Sequence, residues 1–300
     1  MKMVVLSRSR HIPSTKRIVD AAILRGHSVR VLNPINVAIH LDGQTSRLLY
    51  RTRRLPIPEV VVPRIAASIA SYGLPILDQF VTHGALAMNG ADSIGLSRNP
   101  ARCLHRLAAN GREIPSTIFS RGAADLKAMV ARVGGVPVLV KLLAGSERRG
   151  VMVCESERSL EAALEAILGL GHNIVMQEYI RKAGRDIRVF VVGGEAIAAV
   201  SRIPKAGRLS RTRARFSRIE PCEMSLQIKA VSEQAARLCA LEVCAIDLLE
   251  VKSGEPRVFE VNASPALPQM EVATGIDLAE KIVQRAEVMV AKPSTKMRKV

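Results

Sequence analysis

The sequence predicts an α/β unit built on a parallel sheet, followed by two α+β lobes. Three observations lead there. The opening KMVVLS, STKRIVDAAILRGH, SVRVLN reads as strand, helix, strand, with Gly26 as a helix stop, which is the βαβ start of a parallel sheet. In mid-chain, two strand runs, VPVLVKLL and VMVCES, flank the glycine-containing loop AGSERRG. Near the end, CAIDLLEVKSGEPRVFEV reads as two strands folded together by an SGEP turn.

Taken in order, a further strand, EVVVPRI, and the apolar-periodic segment SIASYGLPILDQFVTHG extend the parallel sheet, and the first unit is expected to cover residues 1–95. Residues 96–182 hold a helix around ARCLHRLAAN, IPSTIFS, the helix AADLKAMVARVG, the two strands about the loop, the helix SLEAALEAILGLG and the strand NIVMQEYI. Residues 183–292 hold DIRVFVVGGEAIAAVSRI, a basic loop, a helix from about 223 to 240, the acidic strand pair and a helix near 277 to 291. A basic tail, 293–300, ends the chain.

Composition narrows the function. With 300 residues, 48% of them hydrophobic, the chain can bury more than one core. No apolar run approaches the roughly 18 residues that span a bilayer, and MKMVVLSRSR has too short an apolar core for a signal peptide, so a cytoplasmic protein without a membrane partner is expected. Cys103, Cys154, Cys222, Cys239 and Cys244 contain no C-x-x-C pair and read as reduced core thiols rather than a metal site. A net charge of +17 implies an acidic partner: nucleic acid, nucleotide phosphates or an acidic polypeptide. Three Tyr, five Phe and no Trp leave little material for base stacking, which makes nucleic acid the less favoured of these.

The acidic strand pair is where chemistry concentrates. Side chains two apart on a strand share a face, so Glu260 and Asn262 point the same way, and the SGEP turn brings Asp247 toward them. Three hard oxygen donors of this kind suit Mg²⁺ or Mn²⁺, which bridge to nucleotide phosphates and keep several waters. The other reading is that Asp247 and Glu260 are solvated hairpin residues and that Asn262 starts a turn before Pro265. From these residues alone both stay open.

Across nearly the whole chain, KMVVLSR, VVVPRIAASIASYG, IPSTIFS, VGGVPVLVKLL, VMQEYI, DIRVFVVGGEAIAA and VFEVNASPALPQMEVATGID resemble ATP-grasp ligases, specifically the RimK family, whose members join glutamate to a carboxyl group using ATP. The resemblance implies an ATP-grasp fold with an N-terminal parallel-sheet pre-ATP-grasp domain. It further implies that Lys141 reaches the nucleotide phosphates, that Gln177, Glu178, Tyr179 and Ile180 border the adenine, and that Ser146 and Asp186 belong to the nucleotide-binding set. Asp247, Glu260 and Asn262 match the metal ligands, and Arg188 and Arg202 match catalytic arginines near the phosphates or the acyl phosphate. The implied partners are ATP, Mg²⁺ or Mn²⁺, an amino acid such as glutamate, and an acidic carboxylate acceptor such as a protein C-terminus. A homotetramer is expected by the same likeness.

Three stretches depart from the family pattern. The phosphate-covering loop, Ala144 to Val151, keeps Gly145, Ser146 and Gly150 but carries Glu147 and Arg148 where small residues let backbone N–H groups approach phosphate. Near residue 100, Ser97-Arg98-Asn99-Pro100 stands where relatives offer a lysine, leaving Arg98, Arg102 or Arg106 to substitute. The stretch 201–221 has Arg202, Lys205, Arg208, Arg211, Arg213, Arg215 and Arg218 in place of the family's substrate-loop residues. The leading reading is an ATP-dependent carboxylate–amine ligase; the alternative is a catalytically weakened relative that binds nucleotide or a polyanion such as RNA.

Overall fold

The computed structural model describes residues 1–122, 125–142, 151–180, 186–204, 216–251 and 255–291. Strand β1 (Lys2–Leu6) is buried from Met3 onward, and helix α1 (Pro13–Leu24) starts on a proline whose missing N–H costs nothing there. Gly26, at φ 76°, ends that turn in a conformation that favours glycine, and β2 (Ser28–Leu32) returns parallel to β1. An antiparallel ribbon follows, β3 (Val37–Leu41), β4 (Ser46–Tyr50) and β5 (Arg53–Arg54), which the sequence reading did not predict. Its turn is fixed by Asp42, whose Oδ1 accepts the Thr45 N–H at 2.8 Å. Next come β6 (Val60–Pro63), α2 (Ala70–Thr82) and β7 (Leu86–Ala87), and the parallel sheet has the order β2-β1-β6-β7.

Helices α3 (Ala91–Arg98) and α4 (Pro100–Ala109) meet at Asn99, whose side chain caps α4 by accepting the Arg102 N–H at 3.1 Å. The Asn-Pro pair therefore has a local structural purpose where a lysine was sought. Beyond it lie β8 (Thr117–Ser120), α5 (Leu126–Arg132), β9 (Val138–Leu142), β10 (Val151–Cys154), α6 (Glu157–Gly169) and β11 (Ile174–Glu178). These strands form an antiparallel sheet in the order β10-β9-β11-β8. Val138, Val140, Ile174 and Met176 face α5 and α6, which cover them with Val130, Val133, Leu160, Leu164 and Ile167. Strand alternation then puts Lys141 and Gln177 on the sheet's other face.

The third sheet contains β12 (Asp186–Val192), β13 (Glu195–Pro204), β14 (Phe216–Pro221), β15 (Val243–Leu249) and β16 (Arg257–Asn262), in the order β14-β13-β12-β15-β16. Helix α7 (Leu226–Leu238) lies between β14 and β15, and α8 (Pro268–Thr274) and α9 (Leu278–Ala291) complete the chain. One face, with Val189, Val191, Ile246 and Leu248, packs on α7 and on Leu104 and Leu107 of α4. Phe190, Ala198, Val200 and Val243 join α9 and the core of the parallel sheet, Met3, Val5, Val60 and Val62. At the far end of that second face the side chains change from apolar to charged. No helix among the described residues is long and apolar enough to cross a membrane.

Candidate active site

Two groups of polar side chains meet where the second and third sheets approach. On the open face of the second sheet, Lys141 sits opposite Val175 and two residues from Gln177 along the facing strand. Its Nζ donates to Gln177 Oε1 at 2.6 Å, and Gln177 Nε2 donates to Thr117 Oγ1 at 2.9 Å. Gln177 is 2% exposed, so this chain sets the position of the ammonium. The same Nζ lies 5.9 Å from the centre of the Phe259 ring on β16, which places the lysine at the junction of the two sheets.

At the end of β11, Tyr179 is exposed and Ile180 half-buried. The Glu178 carboxylate is occupied structurally: it accepts the Ser116 N–H at 3.0 Å and Arg257 Nη1 at 2.8 Å. It ties β16 to the second sheet, and the Glu178 backbone N–H donates to the Ser116 carbonyl at 2.8 Å.

The charged end of the third sheet is fixed by strand register. Asp186 pairs with Arg202, Arg188 with Asp247, Asp247 with Glu260, and Ala245 with Asn262, so the named polar residues share one face. Asp247 is 0% exposed and accepts from Arg188 through both oxygens, Nε to Oδ1 and Nη2 to Oδ2, each at 2.7 Å. Arg202 reaches the same carboxylate, Nη2 to Oδ2 at 2.9 Å, and donates from Nε to Asp186 at 2.5 Å. Two-bond forks of this kind match the planar guanidinium to a carboxylate. The register slips between Asp247 and Leu248, making Phe259 the extra residue of a bulge, which turns β16 beside the ligand pair.

Asn262 Oδ1 accepts the Ser264 N–H at 2.9 Å, and the next residue is anchored by Asn89. The buried Asn89 amide donates to the carbonyls of Val243 and Ala263 and accepts the N–H groups of Glu242 and Val243, so the N-terminal unit pins the base of the acidic strand pair.

The donor set fits a hard cation. Asp247 and Glu260 supply carboxylate oxygens and Asn262 an amide oxygen, the hard donors such a cation takes; with only two acids among them, they lie outside the groups of three or more His, Cys, Asp or Glu, of which the described residues form none.

Some expected residues lie elsewhere. Ser146, with Glu147 and Arg148, and the run Lys205, Arg208, Arg211, Arg213 and Arg215 lie outside the described residues. Arg218 pairs with Glu220. Arg98 donates to the Ile65 carbonyl and Arg106 to that of Leu238, at 3.5 Å for the latter, so both are turned to backbone acceptors. Thr117, Phe259 and Asn89 were not singled out from sequence. Their contacts cross 60, 118 and 154 residues, and nothing in local spacing announces such partners.

A model of the RimK pre-ATP-grasp domain matches residues 1–94, and one of the RimK-like ATP-grasp domain matches residues 97–286. A probable alpha-L-glutamate ligase of Thioalkalivibrio sulfidiphilus is 36% identical over 288 residues, 96% of this chain and 95% of its own. The ribosomal protein bS6–L-glutamate ligase of Escherichia coli is also 36% identical over 288 residues, 96% of each chain. Among solved structures, the ATP-grasp ligase PsnB with minimal precursor, Mg and ADP superposes with a TM-score of 0.75 at 18% identity, over 97% of this chain and 98% of that one. D-alanine–D-alanine ligase of Bacillus anthracis with ATP gives 0.70 at 16% identity, over 97% and 98%. These two likenesses concern the fold. The matched domains and the full-length relatives together establish that this chain belongs to the RimK family of ATP-grasp ligases, ATP-dependent enzymes that join a carboxylate to an amine.

Proposed function

We propose that this ligase adds glutamate to the carboxylate of an acidic polypeptide, through an acyl phosphate. The γ-phosphoryl group of ATP passes to a carboxylate oxygen of the acceptor, releasing ADP; the glutamate nitrogen then attacks the acyl carbon, and phosphate leaves with formation of a C–N bond. The observation that carries this reading is the register that gathers Asp186, Arg188, Arg202, Asp247 and Glu260 on one sheet face, one residue from the Phe259 ring that Lys141 overlies.

In this reading Gln177 and Thr117 aim Lys141 at the nucleotide phosphates, and the Tyr179–Ile180 segment borders the adenine. Asp247, Glu260 and Asn262 would hold Mg²⁺, or Mn²⁺ in its place. That cation supplies charge neutralisation at the β- and γ-phosphates. Arg188 and Arg202, which share Asp247 here, present guanidinium N–H groups to the charge that grows on the transferred phosphoryl group. Asp186 keeps Arg202 in place while it does so. Asn89 holds the strand pair that carries the ligand oxygens.

The test is ADP release from Mg-ATP with glutamate and a panel of acidic peptides, compared between the natural protein and Glu260→Gln. The natural protein should release ADP only with an acceptor. Glu260→Gln should lose about 100-fold in turnover, in the range seen when one electrostatic stabiliser of a transition state is removed. Equal rates would remove Glu260 from the mechanism.

A further inference from the structure

A cavity of about 470 Å³ opens at the carboxyl ends of β1 and β2, remote in sequence from the residues assigned above. Its polar lining includes Ser7, Arg8, Ser9, Arg10, Arg30 and Asn33, with no carboxylate among the described lining residues. Arg8, Arg10 and Arg30 are exposed and form no ion pair among the described residues. Three guanidiniums around one concavity repel each other and focus a positive field into it. The mouth of a parallel sheet at its carboxyl ends is also where open α/β folds place ligands.

A fourth cation stands on the same edge. Arg64 follows β6, and its backbone N–H donates to the Leu6 carbonyl at 2.8 Å, one residue before Ser7. Its half-buried side chain has no ion pair or hydrogen bond among the described residues, and burial holds its pKa down to about 10. A half-buried cation without a counter-ion adds to the positive field on this edge.

The lining selects the class of anion. A free amino acid brings an ammonium, and no carboxylate lines the cavity to receive it. Nucleic acid would want stacking surfaces, and Tyr50 is the aromatic residue in the lining. Guanidinium forks with serine hydroxyls and the Asn33 amide match carboxylates that carry no compensating positive charge. We propose that this cavity is a docking site for the acidic acceptor, in which Arg8, Arg10 and Arg30 hold glutamate side chains upstream of the carboxylate that reacts and Arg64 extends the track along the strand ends. The choice of partner rests on the ligase reading above.

The experiment measures fluorescence anisotropy of a labelled, N-acetylated hexaglutamate peptide on the full-length protein without nucleotide, at low and moderate salt. The natural protein should bind, more weakly as salt rises. The triple variant Arg8→Ala/Arg10→Ala/Arg30→Ala should lose at least about tenfold in affinity, since it gives up several charge-assisted contacts. Its thermal midpoint should stay unchanged, because the three side chains are exposed and form no ion pair among the described residues, and Mg-ATP affinity, measured alongside, should stay unchanged because none of the three belongs to the nucleotide-binding set. In turnover, the variant should raise KM for the peptide and leave kcat alone. Peptide binding equal to that of the natural protein would overturn the docking site, while acceptor-dependent ADP release would still uphold the ligase reading. Conversely, arginine-dependent peptide binding without ADP release would keep the site and overturn the ligase. A uridine oligonucleotide of equal charge that binds more tightly, through the same three arginines, would assign the cavity to phosphates and overturn the proposal.

Discussion

Replacing Asp247 by Asn removes a charge and leaves the volume nearly unchanged, so its effect can be worked from the bonds it breaks. The carboxylate is fully buried, accepts two guanidinium N–H groups from Arg188 at 2.7 Å, and lies in ion contact with Arg202 Nη2 at 2.9 Å. Arg202, at 3% exposure, keeps Asp186 as a partner; Arg188, at 13%, loses the counter-ion that both its bonds engage. Breaking a buried ion pair on one side costs about 3–5 kcal/mol, and the residual solvent access of Arg188 places this case near 3 kcal/mol. At roughly 2–4 °C per kcal/mol for a protein of this size, the thermal midpoint should fall by about 6–12 °C. The double variant Asp247→Leu/Arg188→Met should recover most of that loss, because replacing both partners removes the stranded charge. Thermal unfolding followed by circular dichroism reads both. A single variant within about 1 °C of the natural protein, or a double variant no better than the single, would refute the reasoning.

Three other expectations follow from the same contacts. Gln177→Leu should weaken Mg-ATP binding about tenfold, measured by calorimetry, because Lys141 and Thr117 lose the amide between them at a cost of about 1–2 kcal/mol. Asn89→Ala should lower stability by about 2–4 kcal/mol in urea unfolding, since four hydrogen bonds between the N-terminal unit and the third sheet disappear together. Glu287 has its pKa lowered to about 2 by its hydrogen bonds from Arg25, with His27 adding to the effect. A carboxylate depressed in the folded state stabilises above its unfolded pKa and loses that contribution as pH falls through the folded value, here between about 4.5 and 2. Solvent screens this partly exposed pair, and Arg25→Ala should flatten the midpoint-against-pH curve in that window.

How far the sequence could be read depends on whether the signal was local. The βαβ opening was legible because KMVVL is apolar at every buried position and Gly26 ends the helix between the strands. The Asp247–Glu260 pairing was legible because only a short turn separates the strands. The ribbon β3–β5 was missed: its chief buried anchors are Val37 and Leu48, while apolar residues such as Leu41 stand exposed on the same strands, which blurs the alternation. The arginine clamp on Asp247 was invisible because Arg188 lies 59 residues away and meets it only through the order of strands in the sheet. The family resemblance groups Glu178 with the adenine border, and its side chain also ion-pairs with Arg257, 79 residues on, a partner that local spacing could not show. Pro100 read as the loss of a lysine; Asn99 and Pro100 together are the start of α4.

The most direct test of the central claim is a coupled measurement of ADP release by the purified protein with Mg-ATP, glutamate and an acidic peptide ending in glutamate, followed by mass analysis of the peptide. The account predicts ADP release that requires magnesium, glutamate and acceptor together, with the peptide gaining glutamate residues one for each ADP formed. ADP release that is indifferent to the acceptor, or a peptide whose mass never changes while the protein is folded and ATP is bound, would contradict it.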